Sequence, residues 1–437
     1  MRRAWWLLPP LAIVAVLSPM IFTSRSFDPD WTNHMWLVST QRDAIAHHGH
    51  PSWFLHSTGL GVFYPQFAFY GGTLYGSAGL LSFVLGVTGA YIAFFAIGLA
   101  MSFGGWTWLA RRLGVVGPLA FLPGLLHITA AYVMANAYGR GAWPEFVATM
   151  ALPLVIAAVW DLLTAPTVRP GAAAALVFAS VYLTGSHNIT LVWGVVFLGL
   201  AALAVALGAG LAAVRAVPLQ RFGAVAGLMA LGVGVNAWFL IPDLLYAKRV
   251  HFEAYDNGVT FFNTASVVLS PIRRVPSQST SPGLTAQAPV LALAWALVAL
   301  AVARPWRDRL GRTLLRVAGL LCLLLAGFLV LVLRDDPLVG PLGRALWAHV
   351  PNFLRYLQFA FRLETYVTIL VIGLVVLALL AVTRLAAGRL RTGLLAALAA
   401  IAAVNGYQAV HQAWRQPSFR PDRSFVAAAG PHRTPIS

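Results

Sequence analysis

Long apolar runs alternate with short polar connections along most of this sequence. Many of the runs are about 20 residues long, enough for a helix to cross a hydrocarbon core of about 30 Å. Backbone N–H and C=O groups in lipid must pair within their own segment, so each run predicts a helix. The pattern predicts an all-α polytopic membrane protein with about 11 transmembrane helices (10–12). The apolar runs lie at about 4–22, 69–87, 90–110, 113–134, 144–163, 172–187, 190–210, 222–242, 288–304, 314–333, 365–383 and 390–409.

The connections between these runs are of two kinds. Short ones are basic, and the positive-inside rule puts them in the cytoplasm; they contain Arg2, Arg3, Arg111, Arg112, Arg169, Arg215, Arg221, Arg304 to Arg316 and Arg384 to Arg391. Others are longer or carry acids, aromatic residues and histidines, and we expect them outside: 23–66, 135–146, Gly185 to Asn188, 243–287 and 334–364. The alternation requires 67–110 to make one net crossing although it contains two apolar runs.

We therefore expect 59–80, rich in glycine and aromatic residues, to lie at the interface or to re-enter. That arrangement gives eleven crossings and an outside C-terminus, whereas the alternative of twelve plain spans puts 135–146 and 243–287 in the cytoplasm. The first apolar run is expected to be an uncleaved span, because no small-x-small cleavage site follows it. The whole of 1–437 is expected to form one transmembrane domain, in which 23–66 is a first extracytoplasmic loop with juxtamembrane helices and 410–437 is a tail.

Composition supports a membrane environment. Of 437 residues, 59% are hydrophobic and 10% are charged, against about 25% charged in a typical soluble domain. A formal net charge of +17 would suggest nucleic acid for a soluble chain, but here the arginines flank apolar runs, which favours lipid headgroups as partners. Cys322 is the sole cysteine, which excludes disulfides within the chain and cysteine metal sites.

The first outer loop carries the first candidate residues. Asp28 and Asp30 are acids near the start of this loop, and a helix starting near Asp30 would put Asp30 and His34 on one face. Helix capping is the structural alternative for both acids. Trp53 and Tyr64 follow in the same loop. The adjacent histidines at 47, 48 and 50 are badly spaced for one metal site and predict solvated loop residues.

Two further polar groups interrupt the apolar runs. Tyr138, Arg140 and Glu145 stand between two spans; the helix dipole is a sufficient structural role for Glu145, whereas a guanidinium here requires an anionic partner. His187 and Asn188 break a long apolar stretch, partly as turn residues.

A last group stands before the span that begins near residue 365. Arg355, Gln358 and Arg362 fall here, with snorkelling to headgroups as the structural alternative. Asp243, at the end of another span, is a weak candidate. No phosphate-binding glycine loop or zinc-protease motif occurs.

The ordered set resembles a bacterial family. The chain is similar to the YfhO-like membrane proteins, also called 6-pyruvoyl-tetrahydropterin-synthase-related membrane proteins, which are grouped with the GT-C fold glycosyltransferases. Ala360 and Phe361 replace a Pro-Trp pair that is usual in the family's last motif, and no soluble outer domain is evident. The resembling residues, in order over about 330 residues, are Asp30, His34, Gly49, Pro51, Trp53, Gly61, Pro65, Tyr70, Tyr138, Arg140, Gly141, Ala142, Glu145, His187, Asn188, Gln358, Phe359 and Arg362.

The resemblance implies a GT-C-like helix arrangement and transfer of a sugar from a polyprenyl-phosphate donor to a glycan or lipid acceptor, on the extracytoplasmic face of the cell membrane. An acceptor hydroxyl must lose a proton, which suits Asp30, with Asp28, His34 and Glu145 as further catalytic candidates. The leaving phosphate needs cationic partners, which suits Arg140, Arg362 and Gln358. A divalent metal on Asp30, Glu145 and His187 stays open.

Two other functions compete with transfer. A lipid or polysaccharide transporter would use a broken helix near residues 185–188, but the polar groups gather at one face and no inverted repeat is seen. A membrane acyltransferase would use His34 or His187 as a base.

Overall fold

The computed structural model describes residues 4–23, 29–57, 62–64, 67, 71–246, 265–271, 287–303, 308–334, 336–355, 357 and 360–415. The helices of the first half are α1 Leu8–Phe22, α2 Pro29–His48, α3 Gly72–Arg112, α4 Leu122–Ile128, α5 Ala131–Met134, α6 Trp143–Thr164, α7 Pro170–Ser186, α8 Asn188–Ala209 and α9 Leu211–Arg215. Those of the second half are α10 Leu219–Val235, α11 Ala237–Tyr246, α12 Ala265–Val268, α13 Val290–Val302, α14 Arg309–Val332, α15 Gly340–His349, α16 Asn352–Arg355, α17 Glu364–Thr383 and α18 Arg389–Arg415.

The helices have the length and apolarity of membrane spans. Within the described part of the chain, seven are long and apolar enough to cross a bilayer, or up to nine if each of two bent pairs is one span. Two shorter apolar helices, Pro170–Ser186 and Val290–Val302, fall below that length. The predicted polytopic helical membrane protein is confirmed at this level.

Two helices form the centre of the bundle. α17 is apolar on nearly every side and is buried along most of its length, between α13 and α14. α6 is also largely buried, against α3 and α7. A helix that is hydrophobic all round has to lie inside a larger assembly, as both of these do.

Glycines let the central helices approach closely. A Cβ at Gly105 of α3 would lie 2.5 Å from the backbone of Pro153 and Leu154 in α6. Further along α3, a Cβ at Gly79 would lie 2.8 Å from Gln41 in α2. These two contacts fix both α2 and α6 against the same helix.

α3 is interrupted at Gly86, whose φ of 70° and ψ of 167° are not helical. This conformation suits glycine because it has no Cβ. The residues from Gly86 to Arg112 could reach roughly 40 Å as a helix, whereas those before the break reach only about 20 Å, less than a hydrocarbon core. The part before the break, which includes Gly79, packs on α2.

Two pairs of apolar helices are bent rather than straight. The helices Gly117–Ile128 and Ala131–Gly139 meet at 52°, and Leu219–Val235 and Ala237–Leu245 meet at 78°. Asn236 lies at the second break, fully buried, and its amide joins three elements. It accepts a hydrogen bond from Thr73 and donates to the Val181 carbonyl and the Thr184 hydroxyl.

The first connecting loop contains helix α2 and then a short antiparallel hairpin. Strands Leu55–Ser57 and Val62–Tyr64 pair with Leu55 opposite Tyr64. The predicted loops 243–287 and 334–364 and the tail 410–437 lie partly or mostly outside the described residues.

Candidate functional site

Glu145 is the centre of a buried polar cluster near the first turn of α6. Its Oε2 atom lies 3.1 Å from Nη1 of Arg140 and 3.3 Å from Nε of Arg362. Its Oε1 atom accepts hydrogen bonds from the Tyr132 hydroxyl at 2.6 Å and the Asn136 amide at 3.2 Å. We call these five residues, Tyr132, Asn136, Arg140, Glu145 and Arg362, the Glu145 cluster.

The two arginines come from segments more than 200 residues apart, yet they bind the same carboxylate oxygen. Arg140 follows a π-helical turn, Ala135–Gly139, and its backbone N–H bonds to the carbonyl of Ala135. Arg362 lies in the 3-10 turn Ala360–Leu363 that leads into α17. The Arg140 guanidinium also stacks 5.0 Å from the ring centre of Phe361, the neighbour of Arg362. Both side chains are nearly buried, at 12% and 11% exposure.

Asp30 lies at the rim of the cluster. It is the second residue of α2, its side chain is exposed to solvent, and it is in the electrostatic field of Arg140 and Arg362. Partial loss of hydration raises the pKa of the Asp30 carboxyl above its usual value, and the two arginines oppose that rise. A carboxylate at this edge faces both water and two guanidinium groups.

His34, one helical turn beyond Asp30, is buried. Its Nδ1 atom lies 2.5 Å from the Tyr75 hydroxyl, and the Trp143 ring is 6.1 Å away. Burial lowers the pKa of His34 to about 3, although a hydrogen bond to the backbone of Gly141 opposes the change. The imidazole is therefore neutral near pH 7, and it fixes α2 against the loop that carries Arg140.

His187 closes the other side of the cluster. It caps the N-terminus of α8, where its Nδ1 atom accepts from the backbone N–H of Thr190 at 3.2 Å. It is fully buried and interacts electrostatically with Glu145, Arg140 and Arg362. Asn188, the next residue, donates to Asp243 at 2.6 Å and so links the start of α8 to α11.

Several predicted residues have other contacts. The Tyr138 hydroxyl donates to the carbonyl of Val16 in α1. Arg355 donates to the carbonyls of Val350 and Ala348 at the end of α15. Trp53 is 44% exposed beside the hairpin. Asp28, Gln358 and the side chain of Tyr64 lie outside the described residues.

Sequence reasoning missed the residues that complete the cluster. Tyr132 and Asn136 precede Arg140 at intervals of four, a spacing that puts them on one helical face. Tyr75, the partner of His34, stood in the glycine-rich segment that we expected at the interface. Phe361, beneath Arg140, occupies one of the positions at which the chain departs from the resembled family.

No metal group is evident in the part of the chain that the structure describes, since it contains no cluster of three His, Cys, Asp or Glu side chains. Glu145 and His187 interact electrostatically with each other, but both also interact with Arg140 and Arg362. These two cations would repel a metal ion. The question of a divalent metal on Asp30, Glu145 and His187 stays open.

Comparison with family models, with curated proteins and with solved structures gave no significant match to this chain. The residues of the cluster and the sequence resemblance are therefore the evidence for function.

Proposed function

We propose that this protein is a membrane glycosyltransferase that moves a sugar from a polyprenyl-phosphate donor to an extracytoplasmic acceptor hydroxyl. The observation that carries the proposal is the convergence of Arg140 and Arg362 on one buried carboxylate, with the exposed Asp30 in the field of both arginines. Arg140 and Arg362 carry two positive charges and Glu145 carries one negative charge. The three side chains together therefore have a net positive charge, which favours binding of a phosphate anion.

The reaction would use these groups in the following way. The acceptor oxygen attacks the anomeric carbon, its proton passes to the Asp30 carboxylate, and the bond between that carbon and the phosphate oxygen breaks. The phosphate leaves with the electron pair, and Arg140 and Arg362 stabilise its growing charge. His34 is a neutral buried partner of Tyr75, which favours a positioning role for it.

Glu145 is proposed as a positioning residue rather than a base. Its carboxylate is buried and binds two arginines and two hydrogen-bond donors. A base must be able to reach the acceptor proton. Asp30, which is exposed, meets that condition better.

The finer features of the fold belong to the same proposal. Eleven crossings result if both bent pairs and both shorter apolar helices, Pro170–Ser186 and Val290–Val302, each cross once in addition to the seven long spans. The break at Gly86 would let α3 make one net crossing. A GT-C-like arrangement with the cluster on the extracytoplasmic side is the architecture we propose.

A direct test is to incubate the purified protein with a panel of polyprenyl-phosphate sugars and to measure released polyprenyl phosphate. The Arg362→Gln variant is expected to lose both donor binding and release. Arg355→Gln, which changes an arginine bound to α15 carbonyls, is the matched control and should retain both. Retention of donor binding by Arg362→Gln would contradict the proposed phosphate site.

A lipid or polysaccharide transporter is the second candidate, and the two bent helix pairs favour it. Broken helices often surround a transport site near the middle of the bilayer. Movement of a lipid-linked sugar across liposome membranes without release of polyprenyl phosphate would support transport over transfer.

A further inference from the structure

Two glutamates are buried near the starts of two central helices, and their surroundings are opposite. Glu145 is 2% exposed and has two arginines and two hydrogen-bond donors. Glu364, the first residue of α17, is fully buried. Neither of its carboxyl oxygens has a hydrogen-bond partner among the residues that the structure describes.

The face of α17 that carries Glu364 is otherwise nearly apolar. Thr368 lies one turn further along that face, and its hydroxyl is also buried without a partner in the described part of the chain. Val371 and Val375 continue the face, both fully buried. Tyr366 lies on the opposite face and donates to the Thr190 carbonyl.

No charged group in the described ranges is hydrogen-bonded to Glu364, since both of its carboxyl oxygens lack a partner there. Arg362 is two residues away, but its guanidinium is bound to Glu145. Of the helices packed on α17, α13 has no titratable side chain. α14 has Cys322 and three arginines, Arg309, Arg312 and Arg316, which lie toward the end far from the connection to α17.

The other neighbouring helices offer titratable groups with partners of their own. His127 of α4 is paired with Ser102, and Tyr132 of α5 donates to Glu145. In α18, Tyr407 and His411 stack on each other. Its remaining titratable residues are Arg389, Arg391 and Arg415, at its two ends.

An ionised carboxylate in such a place would lose its hydration without gaining a cation or a hydrogen bond, which costs far more than taking up a proton. We propose that Glu364 is a proton-binding site inside the membrane domain and that the folded protein carries it as a neutral carboxylic acid near neutral pH. This inference concerns a group outside the Glu145 cluster and holds whether the protein is a transferase or a transporter.

The proposal fixes the sign of a pH effect. Above the ordinary titration range of glutamate, the unfolded chain releases the proton that the folded chain retains, so the folded state binds more protons and its stability falls as pH rises. Glu145 should behave in the opposite way, because its ionised form binds Arg140 and Arg362 in the folded state. Substitution of Glu145 is therefore a matched control for substitution of Glu364.

The experiment compares full-length wild type, Glu364→Gln and Glu145→Gln in nanodiscs by infrared spectroscopy and thermal unfolding. At about pH 7 we expect the carbonyl stretch of a protonated carboxylic acid in wild type and Glu145→Gln and its loss in Glu364→Gln. Between about pH 6 and about pH 9 the melting temperature of wild type should fall relative to that of Glu364→Gln. Glu145→Gln should melt below wild type near neutral pH, because it loses an ionised partner of two arginines.

Two results would overturn the proposal. One is an infrared spectrum of Glu364→Gln that retains the carboxylic acid band of wild type, since the band then belongs to another group. The other is a wild type without that band whose melting temperature rises with added sodium in a way that Glu364→Gln does not reproduce. That outcome would make Glu364 a cation ligand instead of a proton-binding site.

Discussion

At the scale of single residues, Asp30 is the group on which the proposed chemistry depends most. Asp30→Asn keeps the shape of the side chain but removes the base, so turnover should fall by about 10²- to 10⁴-fold. Donor binding should persist, because the arginines are unchanged. Single-turnover transfer and donor binding measured separately would show the split. Asp43→Asn, on the same helix, is the control, and equal activity of Asp30→Asn and wild type would remove Asp30 from catalysis.

The surroundings of Asp30 also predict a pH profile. Because loss of hydration raises the pKa of Asp30, the ionised base should be lost at a higher pH than for an ordinary aspartate of about 3.9. Arg140 opposes that rise, so residual activity in Arg140→Gln should fall at a still higher pH. Rates measured across the acid range would test this, and an unmoved acid limb in Arg140→Gln would contradict the electrostatic contact.

We expect the role of Arg362 in donor binding and turnover to depend on the shape of its side chain as well as on its charge. Arg362→Lys keeps the positive charge but loses the planar fork that can hold two phosphate oxygens. Donor binding and turnover should weaken together in this variant. Arg355→Lys, at the end of α15, should leave both near wild type. A loss of turnover with unchanged donor affinity in Arg362→Lys would instead assign Arg362 to the transition state alone.

Residue patterns predicted the charged members of the cluster better than their partners. Arg140, Glu145 and Arg362 stood out because charges between apolar runs are costly and need partners. Which charge would bind which could not be read from the sequence, because Arg362 approaches Glu145 from more than 200 residues away. Tyr132 was missed for another reason. In the sequence, a tyrosine within an apolar run cannot be distinguished from an ordinary core residue.

At the scale of elements, the close approach of α3 to α6 can be tested with neighbouring glycines. A Cβ at Gly105 would clash with the backbone of Pro153 and Leu154, whereas one at Gly104 meets nothing within 4 Å. Gly105→Ala should therefore destabilise the protein by about 1–3 kcal/mol through overpacking. Gly104→Ala should leave the melting temperature nearly unchanged. Equal melting of the two variants would mean that α3 and α6 are not in backbone contact at Gly105.

Hydrophobic length predicted where the helices lie but not how they bend. The apolar run 113–134 was expected to be one helical span, yet it belongs to a pair of helices that meet at 52°. The run 222–242 contains Asn236, at which the chain turns by 78°. The buried Asn236 lies at this bend and bonds to α3 and α7, and such long-range bonding leaves little trace in local hydropathy.

At the scale of the whole molecule, sequence reasoning succeeded in the class of fold because lipid allows few alternatives for the backbone. The number of spans was harder to predict, since Pro170–Ser186 and Val290–Val302 are short and α3 is interrupted at Gly86. In each case apolar length alone does not decide whether the helix crosses. Orientation across the bilayer, by contrast, is predicted from charge alone and can be tested without knowing every crossing.

The prediction for the whole molecule is that the Glu145 cluster opens to the extracytoplasmic side. The arginine-rich connections belong in the cytoplasm by the positive-inside rule, so Leu219, next to Arg221, should be cytoplasmic and Leu338, between α14 and α17, should be outside. Both side chains are exposed, at 83% and 90%, and Cys322 is the sole native cysteine. In a Cys322→Ala background, Leu338→Cys should react with an impermeant maleimide on intact cells, and Leu219→Cys only after permeabilisation. The reverse pattern would put the cluster on the cytoplasmic face and exclude an extracytoplasmic acceptor. Reaction of both cysteine variants from the same side would require an even number of crossings between residues 219 and 338.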